Sequence, residues 1–148
     1  MKTIQIDGSD IVEEVPKRPS KARKVVKRKK VSITKLKHKL DAVFSKYIRA
    51  KYPKVCYTCG RTDVTLQCGH FVARSYLATR FDENNCRPQC IGCNLFGNGK
   101  PLDFEEHLKQ ELGEDFVEKL KAKRHTITLL TPSWYEEEIR KYEELLEK

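Results

Sequence analysis

Apolar residues recur at steps of three and four from Ile33 through Leu36, Leu40, Val43, Phe44, Tyr47 and Ile48. That period predicts an amphipathic helix over 33–52, stopped by Pro53. Lys35, Lys37, Lys39, Lys46 and Arg49 fall on its other flanks. The last third of the chain, 101–148, repeats the pattern. Leu102, Phe104, Leu108 and Leu112 mark one helix, with Pro101 at its start and Gly113 past its end. Phe116, Val117 and Leu120 mark a second. Tyr135, Ile139, Tyr142 and Leu146 mark a third, capped by Thr131 ahead of Pro132 or by Ser133 with Glu136.

The middle, 54–100, reads differently. VTLQCGHF begins with apolar–polar alternation and predicts a strand. A loop through Arg74 to Asn84, a short strand near Cys86 to Gln89 and a helix starting near Cys90 complete it. The pattern is α+β.

Charge adds a third region. The formal net charge is +9. Between Lys17 and Lys39 stand 12 basic and no acidic residues, whereas from Asp103 onward 13 acidic face 8 basic. Residues 1–32 thus read as a disordered basic arm, broken by Pro16 and Pro19, followed by one domain over 33–148. Concentrated positive charge points to a polyanion, most simply DNA, with Lys24, Lys27, Arg28, Lys29 and Lys30 as phosphate contacts. A solubilising tail or an address signal is the competing reading of the arm. No run approaches the roughly 18 apolar residues of a membrane helix. The N-terminus lacks the order of a secretory signal. The expectation is a soluble cytoplasmic protein with no membrane partner.

Six cysteines in such a chain favour metal ligands or free thiols over disulfides. Cys56 and Cys59 form one C-x-x-C, and Cys90 and Cys93 a second. Two such knuckles present four thiolates to one ion, and a closed four-thiolate site is structural. Structural Zn²⁺ is expected there. Cys68 and Cys86 are left over and are expected as buried free thiols.

Between the pairs stands His70, the side chain best suited to proton transfer near neutral pH. Asn85 precedes the second knuckle and Asn94 follows it directly. This order resembles the HNH, or ββα-metal, nucleases, with His70, Asn85 and Asn94 on the positions of strand-end His, second-strand Asn and helix ligand. The longer run of GHF, Arg74, RFDENN, QC-x-x-CN, Gly99 and Phe104 is similar to the phage NinG family, also called Rap. The resemblance covers roughly 33–147 and leaves the basic arm out.

The resemblance implies a zinc-splinted ββα-metal core with an N-terminal helix and C-terminal packing helices. It implies a phage recombination protein that cuts branched DNA such as Holliday junctions and flaps. His70 would be the general base and Asn85 would hold the hairpin and orient His70. Asn94 would offer its amide oxygen to one Mg²⁺ or Mn²⁺, and Arg74 and Arg80 would contact phosphates. A symmetric junction would suit a homodimer. One departure stands out: many ββα nucleases carry Asp or His where Gly69 stands. Gln67 is the nearest oxygen donor upstream, and Asp82, Glu83 and His107 are the distant candidates for a second ligand. The alternative is a zinc module that binds DNA junctions without cutting them. A protein-interaction module held by zinc is a third reading, which the charge block opposes.

Overall fold

The computed structural model describes residues 31–148. The basic arm, including Lys24, Lys27, Arg28, Lys29 and Lys30, lies outside the described residues except for Val31 and Ser32.

Helix α1 spans Ile33–Lys51, and the Ser32 hydroxyl accepts from the Lys35 amide at 3.3 Å to cap it. Its buried face is Leu36, Leu40, Phe44 and Ile48, while Ile33, at the exposed first turn, stays outside. Helix α5, Pro132–Glu147, is capped by the Thr131 hydroxyl on the Trp134 amide. This resolves the choice of caps in favour of Thr131. Tyr135, Ile139 and Tyr142 of α5 pack on α1, with the Phe44 and Tyr142 rings edge to face at 5.1 Å.

Strand β1, Leu66–His70, pairs antiparallel with β2, Cys86–Cys90. His70 stands opposite Cys86, and Gln67 opposite Gln89. Helices and a two-stranded sheet make the fold α+β. Between the strands, the segment expected to be loop forms a one-turn helix, α2 (Leu77–Arg80). After β2, the helix expected near Cys90 is a single wide turn, Gly92–Phe96, closed by the Gly97 amide on the Gly92 carbonyl at 2.8 Å. It stops because Asn98, Gly99 and Lys100 all take positive φ.

Helix α3 (Pro101–Leu112) turns at Gly113, φ 90°, into α4 (Glu114–Lys123). Phe104, Leu108 and Val117 form a second core with Tyr57, Phe71 and Leu112. Leu102 and Phe116, counted into the predicted stripes, are exposed at 81% and 40% because each helix packs on one narrow face only. Among the described residues, no helix is long and apolar enough to cross a membrane.

Strand alternation gives the ribbon two working faces. Cys68, His70 and Cys86 face the α1–α5 core. Gln67, Gly69, Arg87 and Gln89 face the knuckles, the Gly99 turn and α3.

Candidate metal centre and catalytic histidine

The two knuckles converge. The Sγ atoms of Cys56, Cys59, Cys90 and Cys93 all lie within 4.8 Å of one another. Cys59 and Cys90 Sγ are 3.8 Å apart. A tetrahedral zinc with bonds of about 2.3 Å spaces its sulfurs by roughly 3.8 Å, so the cage fits that ion. Backbone amides support the thiolates: Cys90 N–H donates to Cys56 Sγ at 3.3 Å, and Cys93 N–H to Cys90 Sγ at 3.4 Å. Burial opposes ionisation of Cys56, but amide donors from Cys90, Cys59 and Thr58 outweigh it and bring the thiol down to about 6. At Cys93 the Thr58 hydroxyl favours the thiolate. Burial and the three neighbouring thiols win, and Cys93 is pushed up to about 12. Four thiolates crowded together need a cation to coexist. These cysteines could hold a structural metal such as zinc.

His70 ends β1. Its Nε2 lies 3.0 Å from the Arg80 carbonyl oxygen. A carbonyl only accepts, so Nε2 carries the proton and Nδ1 keeps the lone pair. Burial lowers the His70 pKa first; the Arg80 carbonyl raises it, and the Arg74 and Arg80 charges lower it again. The net direction is down, so the ring is neutral at neutral pH.

Asn85 is fully buried and does not bond to His70. Its Oδ1 accepts from the Val72 amide at 2.7 Å. Its Nδ2 donates to the Val72 and Thr79 carbonyls at 2.9 and 3.0 Å. It therefore clamps both ends of the 72–79 excursion. The next carbonyl, that of Arg80, is the one His70 uses.

Arg80 is turned inward, against the expectation of a phosphate contact. It is 7% exposed, and its guanidinium grips Asp41 of α1 with Nε at 2.9 Å and a second nitrogen at 2.6 Å. A third donation goes to the Arg74 carbonyl at 2.6 Å. The physical reason is a buried bidentate pair that no local pattern announces. Arg74, by contrast, keeps an exposed side chain beside Asp41 at 3.4 Å and remains open to a ligand.

Asn94 lies on the wide turn after β2. Its Nδ2 donates to Gln67 Oε1 at 2.8 Å, which sets it over the ribbon face opposite His70. The Gly99 turn that follows reaches back to the end of β1, where a Cβ on Gly99 would lie 3.9 Å from the His70 carbonyl oxygen. The remaining candidate ligands are engaged elsewhere. Asp82 pairs with Lys123, Glu83 accepts from Lys51, Tyr47 and Tyr142, and His107 Nδ1 donates to the Tyr57 carbonyl.

Gly69 has a steric reason. A Cβ there would meet Gln89 Oε1 at 2.1 Å. Gln89 is fully buried, its Nε2 donating to the Gly99 carbonyl and the Thr58 hydroxyl at 2.9 and 3.1 Å, while Oε1 has no partner among the described residues. Gln89 thus fills the space of a side chain at 69. Gly69→Ala is expected to cost about 1–3 kcal/mol in urea denaturation. Combined with Gln89→Ala it should cost clearly less than the sum of the two singles. Strict additivity would remove this contact as the reason for glycine.

The sequence reading missed two arrangements. Arg87 is fully buried, salt-bridged to Glu111 at 2.8 Å and stacked on Tyr52 at 4.4 Å, with partners too distant in sequence to signal. Cys68, His70 and Cys86 also bring a ligand atom each within 4.8 Å of one another. Their signal was available: C-x-H on a strand puts both residues on one face.

No curated protein and no solved structure matches this chain. The family model of the Bacteriophage Lambda NinG protein matches residues 10–148, and so takes in most of the basic arm that the motif resemblance left out. With nearly its whole length matched, and with the knuckle cysteines drawn into one cage, the chain belongs to the bacteriophage lambda NinG family.

Proposed function

We propose that this chain is a metal-dependent, structure-specific endonuclease that hydrolyses branched DNA during phage recombination. Membership of a phage protein family is consistent with a recombination role. The observation that carries the nuclease reading is His70. Its Nε2–H is fixed on the Arg80 carbonyl, the ring is held neutral, and Nδ1 has its lone pair free. That is the state a general base must be in to take a proton from an attacking water. Asn85 supports this as a positioning residue, through the Thr79 carbonyl next to Arg80. Arg74 supplies a guanidinium fork for a phosphate beside the same His70.

The donors at Asn94 suit a particular kind of ion. Asn94 and Gln67 are neutral amides, and no carboxylate cluster joins them among the described residues. Such a set lacks the carboxylate that commonly holds Mg²⁺ or Mn²⁺, so the ion would keep its waters and arrive with the DNA phosphate. Asn94 Oδ1 would hold it, and the ion would supply charge stabilisation at the phosphate. The four-cysteine zinc has no open position and serves the fold.

The second reading is a zinc module that binds junctions without cutting. The amide-only donor set, the filled space at Gly69 and the placing of Asn94 and His70 on opposite ribbon faces favour it. The experiment is cleavage of a synthetic four-way junction, a flap and a linear duplex in Mg²⁺, Mn²⁺ and EDTA. Metal-dependent cutting of branched DNA is expected. Tight junction binding with no cutting under either metal would replace this reading by the second.

In both readings DNA is the partner, and a symmetric junction would suit two copies. The basic stretch then contributes phosphate contacts. Removing residues 1–30 should lower the slope of log affinity against log salt by several units, about 0.9 for each phosphate released. An unchanged slope would make the stretch a plain tail.

A further inference from the structure

Cys68 and Cys86 have no part in the four-cysteine cage, and the nuclease reading uses neither thiol. The ribbon nevertheless gathers both around His70. Residues 68 and 70 share one face of β1, and His70 stands opposite Cys86 on β2. The two Sγ atoms and a ring nitrogen of His70 all lie within 4.8 Å of one another. Cys86 is buried against the α1–α5 core, while Cys68 and His70 are half-buried.

We propose that Cys68, His70 and Cys86 form a second metal site, for a thiophilic divalent ion of the zinc class, separate from the four-cysteine centre. Two thiolates and an imidazole are the soft and borderline donors that zinc prefers over Mg²⁺. Tetrahedral binding spaces such donors about 3.3–3.8 Å apart. The three groups therefore close on an ion with shifts of about 1 Å. A fourth position stays open to water or a ligand, as in three-ligand zinc sites. His70 is already braced for ligation: a metal-binding histidine characteristically donates its other N–H to a backbone carbonyl, and Nε2–H meets Arg80 O at 3.0 Å. The lone pair left for the ion is that of Nδ1.

The consequence for activity rests on the nuclease reading. One lone pair cannot both ligate an ion and take a proton from water. Zinc at this site would therefore silence His70, and zinc in excess of the structural ion would act as an off switch. The site itself stands on geometry and does not need that reading.

The test measures zinc per chain in the full-length, reduced protein dialysed against micromolar free Zn²⁺. Two ions per chain are expected for the wild type and one for Cys68→Ala, with Cys86→Ala as the second variant. One ion in the wild type, or two retained in both variants, would overturn the site. Junction cleavage in Mn²⁺ is then followed as the second zinc is taken up. A fall of about a hundredfold is expected, the scale of a lost general base. A second zinc bound at these residues with cleavage unaffected would remove His70 as the base. A second zinc bound by a protein that cuts nothing under any metal would leave the site standing and sink the nuclease reading.

Discussion

Cys93→Ser is expected to lose its zinc and most of its fold together. Around the cage the apolar support is thin: Cys56, Cys90 and Cys93 are themselves the buried cluster, with only Val64 and Leu66 packed against them. Apart from the ion, the contacts that tie residues 54–65 to β2 are light ones, such as Tyr57 N–H to the Pro88 carbonyl at 2.8 Å, Gln89 Nε2 to the Thr58 hydroxyl at 3.1 Å and the Arg87 guanidinium over the Tyr57 ring. A structural zinc supplies on the order of 10 kcal/mol. Whole domains of this size have about 5–15 kcal/mol of net stability. Losing one thiolate should therefore abolish the cooperative thermal transition, seen by circular dichroism alongside zinc content by mass spectrometry.

Acid should do the same to the wild type. The ion is held by thiolates, and protons compete with it for the four sulfurs, so lowering the pH favours release. Zinc release should follow on that side and not on the alkaline side. A folded Cys93→Ser protein without zinc would remove the cage as a structural centre.

That cage was legible in the sequence because its geometry is local. Each C-x-x-C knuckle is a turn that sets two thiols side by side, and only the meeting of the two turns is tertiary. The helices were legible for the same reason. Leu36, Leu40, Phe44 and Ile48 report their common face through spacing alone. The departures from the sequence reading depend on contacts and turns that residue spacing does not report. Arg80 reads as a surface arginine until Asp41, far upstream on α1, claims its guanidinium. The helix predicted after Cys90 fails because the Gly99 amide bonds back to the Cys93 carbonyl at 2.9 Å and the chain turns left-handed there. Gly69 reads as a missing ligand until the register places Gln89 in its space. The split of His70 and Asn94 between two ribbon faces follows from register in the same way, since Asn94 seats on Gln67, three residues before His70.

His70→Ala is expected to abolish cleavage of branched DNA while leaving fold and binding in place. A general base contributes about 10²–10⁴ in rate. The ring is half-buried at the end of a strand, and its one direct bond goes to the Arg80 carbonyl, so its removal leaves a small cavity rather than an unpaired charge. Junction affinity should stay within about twofold, because the proposed phosphate contacts are Arg74 and the basic stretch, not His70. The pH profile gives a second readout. On the nuclease reading the base would work as neutral imidazole, and burial holds the His70 pKa below the ordinary value near 6.5. Cleavage should thus be level above pH 6.5 and fall about tenfold per unit only at lower pH, with an acid limb absent from the residual activity of the variant. An acid limb above 6.5 would mean that the titrating group is not this histidine in this environment. Cleavage unchanged in His70→Ala, with the four-cysteine zinc and the thermal transition intact, would place the base elsewhere. Binding lost with cleavage would make His70 a structural residue of the interface, and the second reading, a junction binder without chemistry, would then account for the chain.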